Sequence, residues 1–152
     1  MIRIEKNISV KEFFENVFDT CEVHWEEIAN NKDIIKLDPD VKQYQAMEHI
    51  GALKNAVIYD DDKIVGYTVV VSTPHLHYKS DIYSYVDVLF LRPNYRNSRL
   101  GFKLVDLSEE LAREAGATII IHHTKPHHPV LEKILRKKGF SHAENIFGKV
   151  LE

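Results

Sequence analysis

The sequence predicts one mixed α/β domain over residues 1–152, and three observations support this fold class. Leucines recur at spacings of three and four over residues 100–115, which is typical of an amphipathic helix. Segments rich in β-branched and aromatic side chains predict strands; they cover residues 55–59, 63–72 and 80–91. Helix and strand signals alternate in the second half of the chain, an order that favours a central sheet flanked by helices.

The first fifty residues are predicted to be mainly helical. Residues 1–6 alternate between polar and apolar side chains, as a short strand does. The sequence Ser-Val-Lys-Glu over residues 9–12 is a capping box that starts a helix, and a second short helix is expected over residues 22–29. Asp38, followed by a proline, predicts the start of a third helix that ends at Gly51.

The remaining elements follow from turn and helix signals. Three consecutive aspartates at residues 60–62 predict a hairpin. A short buried strand is expected over residues 118–121, and a last helix is expected between Pro129 and Gly139. Residues 140–150 are expected to form one or two final strands. The whole chain is thus predicted to contain about six or seven strands and about four or five helices.

Composition and charge exclude several classes of protein. Hydrophobic residues make up 44% and charged residues 28%, which is ordinary for a globular protein. No apolar run approaches the ~20 residues that span a bilayer, and the N-terminus lacks the apolar core of a signal peptide, so no membrane partner is expected. The net charge of −3 argues against a nucleic-acid partner. Cys21 is the only cysteine, which favours a cytoplasmic location.

The strongest functional signal is the segment over residues 89–102. An apolar strand enters a polar turn that carries Arg96 and Arg99, and a helix begins directly after the turn at Leu100. The first N–H groups of a helix have no partner within it, and they carry a partial positive charge. The segment therefore predicts an anion site, most often one for phosphate. The alternative is an ordinary strand-to-helix connection with surface arginines.

From about Asn55 to the C-terminus, the chain resembles the GNAT superfamily of acyl-CoA-dependent N-acetyltransferases. Three segments carry the resemblance: residues 63–67, 91–96 and 138–140. Arg96 and Gly101 match the pyrophosphate loop of that family, Arg/Gln-x-x-Gly-x-Gly/Ala, whereas Arg99 stands at the position of its first glycine. The resemblance implies a single GNAT-like domain whose mixed sheet is splayed between strands 4 and 5.

The resemblance also implies that acetyl-CoA is the co-substrate. Acetyl transfer would proceed by direct attack of a primary amine on acetyl-CoA in a ternary complex. The implied cofactor-binding residues are Leu89, Phe90, Leu91, Arg96, Asn97, Ser98, Arg99, Leu100, Gly101, Phe102 and His128. Because Arg99 lies where the backbone should approach phosphate closely, the alternative function is a catalytically weak acyl-CoA-binding or protein-interaction module.

Asp87 and His128 are the candidate catalytic residues. Asp87 interrupts an apolar run, and period-two alternation places it on the face of Leu89 and Leu91. It would take the proton of the attacking amine, or it is a structural carboxylate bonded to a tyrosine or a turn. Many relatives carry a tyrosine as general acid where this chain has Leu135. His128 would then protonate the leaving thiolate, unless the thiolate leaves unaided or takes a proton from water.

The acceptor is expected to be a small-molecule or peptide amine. Residues 1–62 hold 14 acidic and 7 basic side chains, which favours a cationic acceptor such as a polyamine, a lysine or a protein N-terminus; the charge could equally serve only solubility. The candidate acceptor-binding residues are Glu26, His75, His77 and Tyr85. The histidine-rich segments also allow a zinc site, but they lack cysteine partners and a His-Glu-x-x-His motif, so no metal is expected. A homodimer is compatible with the sequence.

Overall fold

In the computed structural model, which describes residues 1–151, a five-stranded sheet is flanked by four α-helices. The strands are β1 (Ile2–Lys6), β2 (Leu53–Asp60), β3 (Lys63–His75), β4 (Tyr78–Leu91) and β5 (Ile119–His122). The helices are α1 (Val10–Ile28), α2 (Val41–His49), α3 (Leu100–Glu114) and α4 (Val130–Lys137), and a short 3-10 helix covers Pro93–Tyr95. Within these described residues, none of the helices has both the length and the apolar character that crossing a bilayer requires.

The strands lie in the sheet in the order β1-β2-β3-β4-β5. The first four are antiparallel, and β5 pairs in parallel with β4 after the crossover through α3. One face of the sheet packs against α1 and α2 through a cluster around Phe13, Val17 and Tyr67. The other face packs against α3 through a cluster around Leu104 and Leu111. The mixed α/β fold predicted from the sequence is confirmed.

Helix α1 is longer than the sequence predicted. It begins at the capping box, where the Oγ of Ser9 accepts a hydrogen bond from the N–H of Glu12 at 3.1 Å. It then continues without a break to Ile28, so the separate helix expected over residues 22–29 is wrong. The reason is that buried side chains recur at helical spacing as far as His24, which keeps one face of the helix against the sheet.

Helix α2 begins two residues later than predicted. Asp40 is the N-cap and Asp38 is not, because the carboxylate of Asp40 accepts a hydrogen bond from the N–H of Gln43 at 3.0 Å. Pro39 therefore precedes the helix instead of occupying its first position. The helix exit near Gly51 is confirmed by the φ of +75° at that glycine, the left-handed conformation common after helices.

The segment after α4 does not form a strand. Gly139 ends the helix as predicted, with a φ of +88°. Residues 140–151 contain no strand and residues 141–149 are exposed, so the prediction of final strands is wrong and the sheet has five strands instead of six or seven. Ile146 and Phe147 are adjacent and would point to opposite faces of a strand, so the segment has no single apolar face to pack.

The two parallel strands separate after four residue pairs. Their pairing runs from Tyr83 opposite Ile119 to Val86 opposite His122. Strand β4 then continues to Leu91 with no described strand on that side. The predicted splay between strands 4 and 5 is therefore present.

Strand β4 also carries a β-bulge. Val69 of β3 is paired with Val88, but the next residue of β3, Val70, is paired with Val86. Asp87 is therefore an extra residue in β4. The insertion interrupts the two-residue alternation on which the face of this strand was predicted.

The bulge turns the side chain of Asp87 to the α1–α2 face. Its carboxylate accepts a hydrogen bond from the hydroxyl of Tyr44 on α2, whereas Leu89 and Leu91 pack with the cluster under α3. The prediction that Asp87 shares a face with these two leucines is wrong, because an extra residue shifts the alternation by one position.

Gly66 of β3 allows close packing against the end of β4. A Cβ at this position would lie 2.9 Å from the Cδ1 of Leu91 and 3.2 Å from the carbonyl oxygen of Phe90. Gly66→Ala should therefore lower the free energy of unfolding by about 1–3 kcal/mol through overpacking, as measured by denaturant titration. Gly148→Ala is the matched control, because no atom lies within 4 Å of its added Cβ; equal stabilities for the two variants would contradict the packing argument.

Candidate active site

A cavity of about 360 Å³ opens where β4 and β5 separate. The free edge of β4 lines one side through Asp87, Leu89 and Leu91. Helix α4 lines another side, and Gly101 contributes from the start of α3. Ligands of α/β sheets most often bind beyond the carboxyl ends of parallel strands, so the position of this cavity marks it as the candidate site.

The start of α3 retains the donors expected of an anion site. The N–H of Leu100 is hydrogen-bonded to the Oγ of Ser98 at 3.2 Å. The next two N–H groups, of Gly101 and Phe102, have no acceptor among the described residues. Arg99 has a φ of −75°, so its position does not need the conformational freedom of glycine. An arginine at the position of the family's first glycine is therefore compatible with the backbone conformation of the turn.

Gly101 brings α3 close to α4 beside the cavity. A Cβ at this position would lie 3.1 Å from the Cδ1 of Ile134, which is tighter than an ordinary van der Waals contact. Both residues line the cavity. A larger side chain at position 101 would therefore occupy space next to the free N–H groups, which fits a site where a ligand approaches the backbone.

Arg96 is engaged by the protein itself. Its Nε donates a hydrogen bond to the carbonyl oxygen of Leu91 at 2.8 Å, and its Nη2 donates to Glu27 at 2.7 Å. The other oxygen of Glu27 lies 2.5 Å from the Nε2 of His128. Burial raises the pKa of Glu27, but the hydrogen bond and charge of Arg96, together with His128, outweigh it and lower the pKa overall. This carboxylate therefore holds two basic groups at the edge of the cavity.

Asp87 lines the cavity beside the partly buried hydroxyl of Tyr44. The hydroxyl of Tyr44 donates a hydrogen bond to the Oδ2 of Asp87 at 2.8 Å. Burial raises the pKa of Tyr44, and the charge of Asp87 and their hydrogen bond raise it further. Tyr44 therefore keeps its proton at neutral pH and acts as a fixed donor to the carboxylate.

Two histidines next to the cavity are neutral at pH 7. Burial lowers the pKa of His24 to about 4, although Glu27 opposes the change. The His24 ring stacks on Phe90 at 4.6 Å between ring centroids. Burial and the neighbouring His123 lower the pKa of His122 to about 4 as well, and its buried Nε2 has no hydrogen-bond partner among residues 1–151. Both side chains line the cavity.

Most of the predicted catalytic and cofactor-binding residues come together. Seven of them line the cavity: Asp87, Leu89, Phe90, Leu91, Arg96, Gly101 and His128. The other five lie in the turn and first helical residues beside it: Asn97, Ser98, Arg99, Leu100 and Phe102. The first three of these are exposed, and Leu100 packs against the cluster under α3.

The four predicted acceptor-binding residues lie outside this cavity. Glu26 is on the surface, where it is paired with Lys32 at 3.1 Å. His75 and His77 belong to an aromatic cluster at the β3–β4 hairpin. Tyr85 stacks with His123, with 6.5 Å between the ring centroids. Among residues 1–151, no group of three His, Cys, Asp or Glu side chains could hold a metal ion.

Three residues at or beside this site are absent from the candidate site residues predicted from the sequence: His24, Glu27 and Tyr44. The helical spacing of buried positions in α1 continues as far as His24, so extending that helix by two turns brings His24 and Glu27 to the sheet. No local signal pairs Tyr44 with Asp87, because the two are 43 residues apart.

Comparison with known proteins gives one family and many similar folds. Residues 15–140 match the acetyltransferase (GNAT) family. A search of curated proteins found no match. Structural similarity extends over nearly the whole chain in several solved structures.

An aminoglycoside acetyltransferase from an uncultured soil metagenomic sample, in complex with trehalose, has a TM-score of 0.76 at 16% identity, covering 99% of this chain and 97% of its own. Glucosamine-6-phosphate N-acetyltransferase from Arabidopsis thaliana has a TM-score of 0.73 at 14% identity, and the match covers 100% of this chain and 99% of that protein. A protein from Clostridium acetobutylicum, described as a predicted acetyltransferase with acetyl-CoA, has a TM-score of 0.74 at 15% identity, covering 99% and 96%. At these identities the likeness shows the fold.

The buried His24 should make the stability of the protein depend on pH. Its pKa is about 4 in the folded protein, against an ordinary value of 6.5 for a solvated histidine, so the unfolded state binds more protons between these limits. The contribution of His24 to the free energy of unfolding is therefore fully present above pH 6.5. It is lost as the pH drops towards 4, which lowers the free energy of unfolding by about 3 kcal/mol. His24→Gln should lose less stability over this range in urea titrations. The exposed His77→Gln is the control, and an unchanged pH dependence in His24→Gln would refute the assignment.

Proposed function

Because the chain belongs to the acetyltransferase (GNAT) family, we propose that it is an N-acetyltransferase that moves an acetyl group from acetyl-CoA to a primary amine. One observation carries this proposal. The unpaired N–H groups of Gly101 and Phe102 lie at the start of α3, beside the cavity that Asp87 also lines. The same cavity thus offers a site for a phosphate and a base for an amine.

Acetyl-CoA supplies an activated acetyl thioester when it is bound. The N–H groups of Gly101 and Phe102 would hold its diphosphate, with the exposed Arg99 guanidinium close by. The free edge of β4 at Leu89 and Leu91 would hold the pantetheine arm. Arg96 was predicted to hold the diphosphate directly, but its bond to Glu27 supports a different role, which is to position Glu27 and His128.

The residues in the cavity can move the protons that the reaction requires. An amine with a pKa of about 10 is protonated at pH 7, so Asp87 takes a proton before the nitrogen attacks. The nitrogen then forms a bond to the acetyl carbon, the carbon–sulfur bond breaks, and its electron pair stays on sulfur. The nitrogen loses its second proton to water, and His128, held by Glu27, donates a proton to the sulfur and regains one from water. Leu135, at the position of the tyrosine of many relatives, is buried in the core and can donate none.

The second candidate function is a catalytically weak acyl-CoA-binding or protein-interaction module. The pairing of Arg96 with Glu27 favours it, because the positive charge of that guanidinium is already neutralised. The two functions differ in turnover and share acetyl-CoA binding. A cytoplasmic location and a homodimer remain predictions from the sequence.

The binding of acetyl-CoA should depend on the small size of Gly101. Acetyl-CoA at a concentration of 100 times its dissociation constant should add about 2.7 kcal/mol to the free energy of unfolding of the wild-type protein. Adding a primary amine should then release the free thiol of CoA. Gly101→Leu should lose both effects, because its side chain would fill the space beside the free N–H groups.

Gly148→Leu is the matched control, since Gly148 has no neighbour within 4 Å of an added Cβ. Thermal unfolding without ligand would verify that both variants fold. Unaltered acetyl-CoA affinity in Gly101→Leu would remove the phosphate-site assignment, whereas affinity without thiol release in the wild type would favour the binding module.

Asp87→Asn should lower kcat by roughly 10²–10⁴-fold, the range for loss of a general base, and leave the acetyl-CoA dissociation constant unchanged. The loss should shrink at high pH, where the free amine needs no base. Asp81→Asn is the control on the same strand, because Asp81 bonds to Thr118 away from the cavity. A normal pH–rate profile in Asp87→Asn would clear Asp87 of the base role.

A further inference from the structure

A second cavity of about 210 Å³ lies between the sheet and helices α1 and α2. Its lining is mainly aromatic and aliphatic, and it includes Phe14, Trp25, Leu37, Tyr44, Tyr67 and Val69. The connection between α1 and α2, residues 29–40, closes one side of it. The chemistry of this cavity is therefore unlike that of the larger one, which contains two carboxylates and an arginine.

The two cavities meet beside Asp87. Four residues line both of them: His24, Ile28, Val88 and Lys125. Asp87 lines the larger cavity and Tyr44 lines the smaller one, and the 2.8 Å hydrogen bond between them crosses the boundary. An amine that lies at Asp87 would therefore extend its substituent into the smaller cavity.

The smaller cavity has no carboxylate in its lining. Its one lysine, Lys125, is a cation, and His24 is neutral at pH 7 because burial lowers its pKa to about 4. A second ammonium group placed there would lose its hydration without gaining a counter-ion, and Lys125 would repel it. A polyamine or an aminoglycoside thus fits this cavity poorly.

The acidic residues that predicted a cationic acceptor lie elsewhere. Glu26 is paired with Lys32 on the surface, and Glu48 accepts a hydrogen bond from the N–H of Val10 at 2.9 Å. Glu27 is bound to Arg96 in the larger cavity. These three carboxylates are therefore engaged locally, and none of them lines the smaller cavity.

Resting on the proposed function, we propose that the acceptor is an arylalkylamine, a primary amine that carries one uncharged aromatic ring on a short chain. A cavity of roughly 150 Å³ in a protein core holds a benzene ring, so 210 Å³ has room for a ring and its short chain. Edge contacts with Phe14 and Tyr67 would favour an aromatic ring over an aliphatic one. The amine would lie at Asp87, next to the acetyl group.

The test compares two amines that differ in the group carried by the chain. At saturating acetyl-CoA, kcat/KM for 2-phenylethylamine should exceed kcat/KM for 1,4-diaminobutane at least roughly tenfold, since one carries a ring and the other a second ammonium. Methylamine, which has no substituent to place in the smaller cavity, provides the reference rate.

Filling the smaller cavity should remove the preference. Ala29→Phe adds a ring to the lining and should lower the ratio of kcat/KM for 2-phenylethylamine to that for methylamine at least roughly tenfold. Ala143→Phe is the matched control in the exposed C-terminal segment, and its ratio should equal that of the wild type. Leu37→Trp is a second filling variant, in case Ala29→Phe does not fold.

Calorimetric titration of 2-phenylethylamine into the CoA-bound protein provides a readout that does not need turnover. Binding that Ala29→Phe abolishes, without acetylation of any amine, would refute the proposed function and support the arylalkylamine site. Acetylation that favours 1,4-diaminobutane, or equal ratios in Ala29→Phe and Ala143→Phe, would overturn the arylalkylamine site and support the proposed function. Absence of both binding and acetylation of 2-phenylethylamine would also overturn the site.

Discussion

The separation of β4 from β5 after four residue pairs is the constraint on which the rest of the site depends. Strand β4 continues for five residues beyond the last pair, and the backbone groups on its free side need another partner or water. The cavity supplies the space, and α3 begins beside it with two unpaired N–H groups. A sheet that stayed paired to its end would have neither the cavity nor the free edge.

Glu27 joins three elements around this opening. It lies near the end of α1, it binds Arg96 in the turn after β4, and it binds His128 before α4. Because the carboxylate lies between two basic groups, its pKa is lowered despite partial burial. The two basic groups are therefore held by Glu27, and we propose that backbone donors and Arg99, in place of Arg96, bind the anion.

The bulge at Asp87 links the two cavities. Without the extra residue, the carboxylate would point to the α3 face with Leu89 and would not reach Tyr44. With it, the carboxylate lies between the larger cavity, which contains two carboxylates and an arginine, and the smaller cavity, which has no carboxylate in its lining. The position of this carboxylate at the boundary is a consequence of strand register.

The sequence by itself determined the start of α1, helix α3, the main strands and the turn between β4 and α3. Ser9 and the leucines of α3 act within a few residues of chain, where capping and periodicity have local physical causes. Only the tertiary structure decided the bulge at Asp87, the bond between Glu27 and Arg96 across 69 residues, and the apolar character of the second cavity. These features depend on how distant segments pack against one another, and side-chain periodicity within one segment carries no information about that.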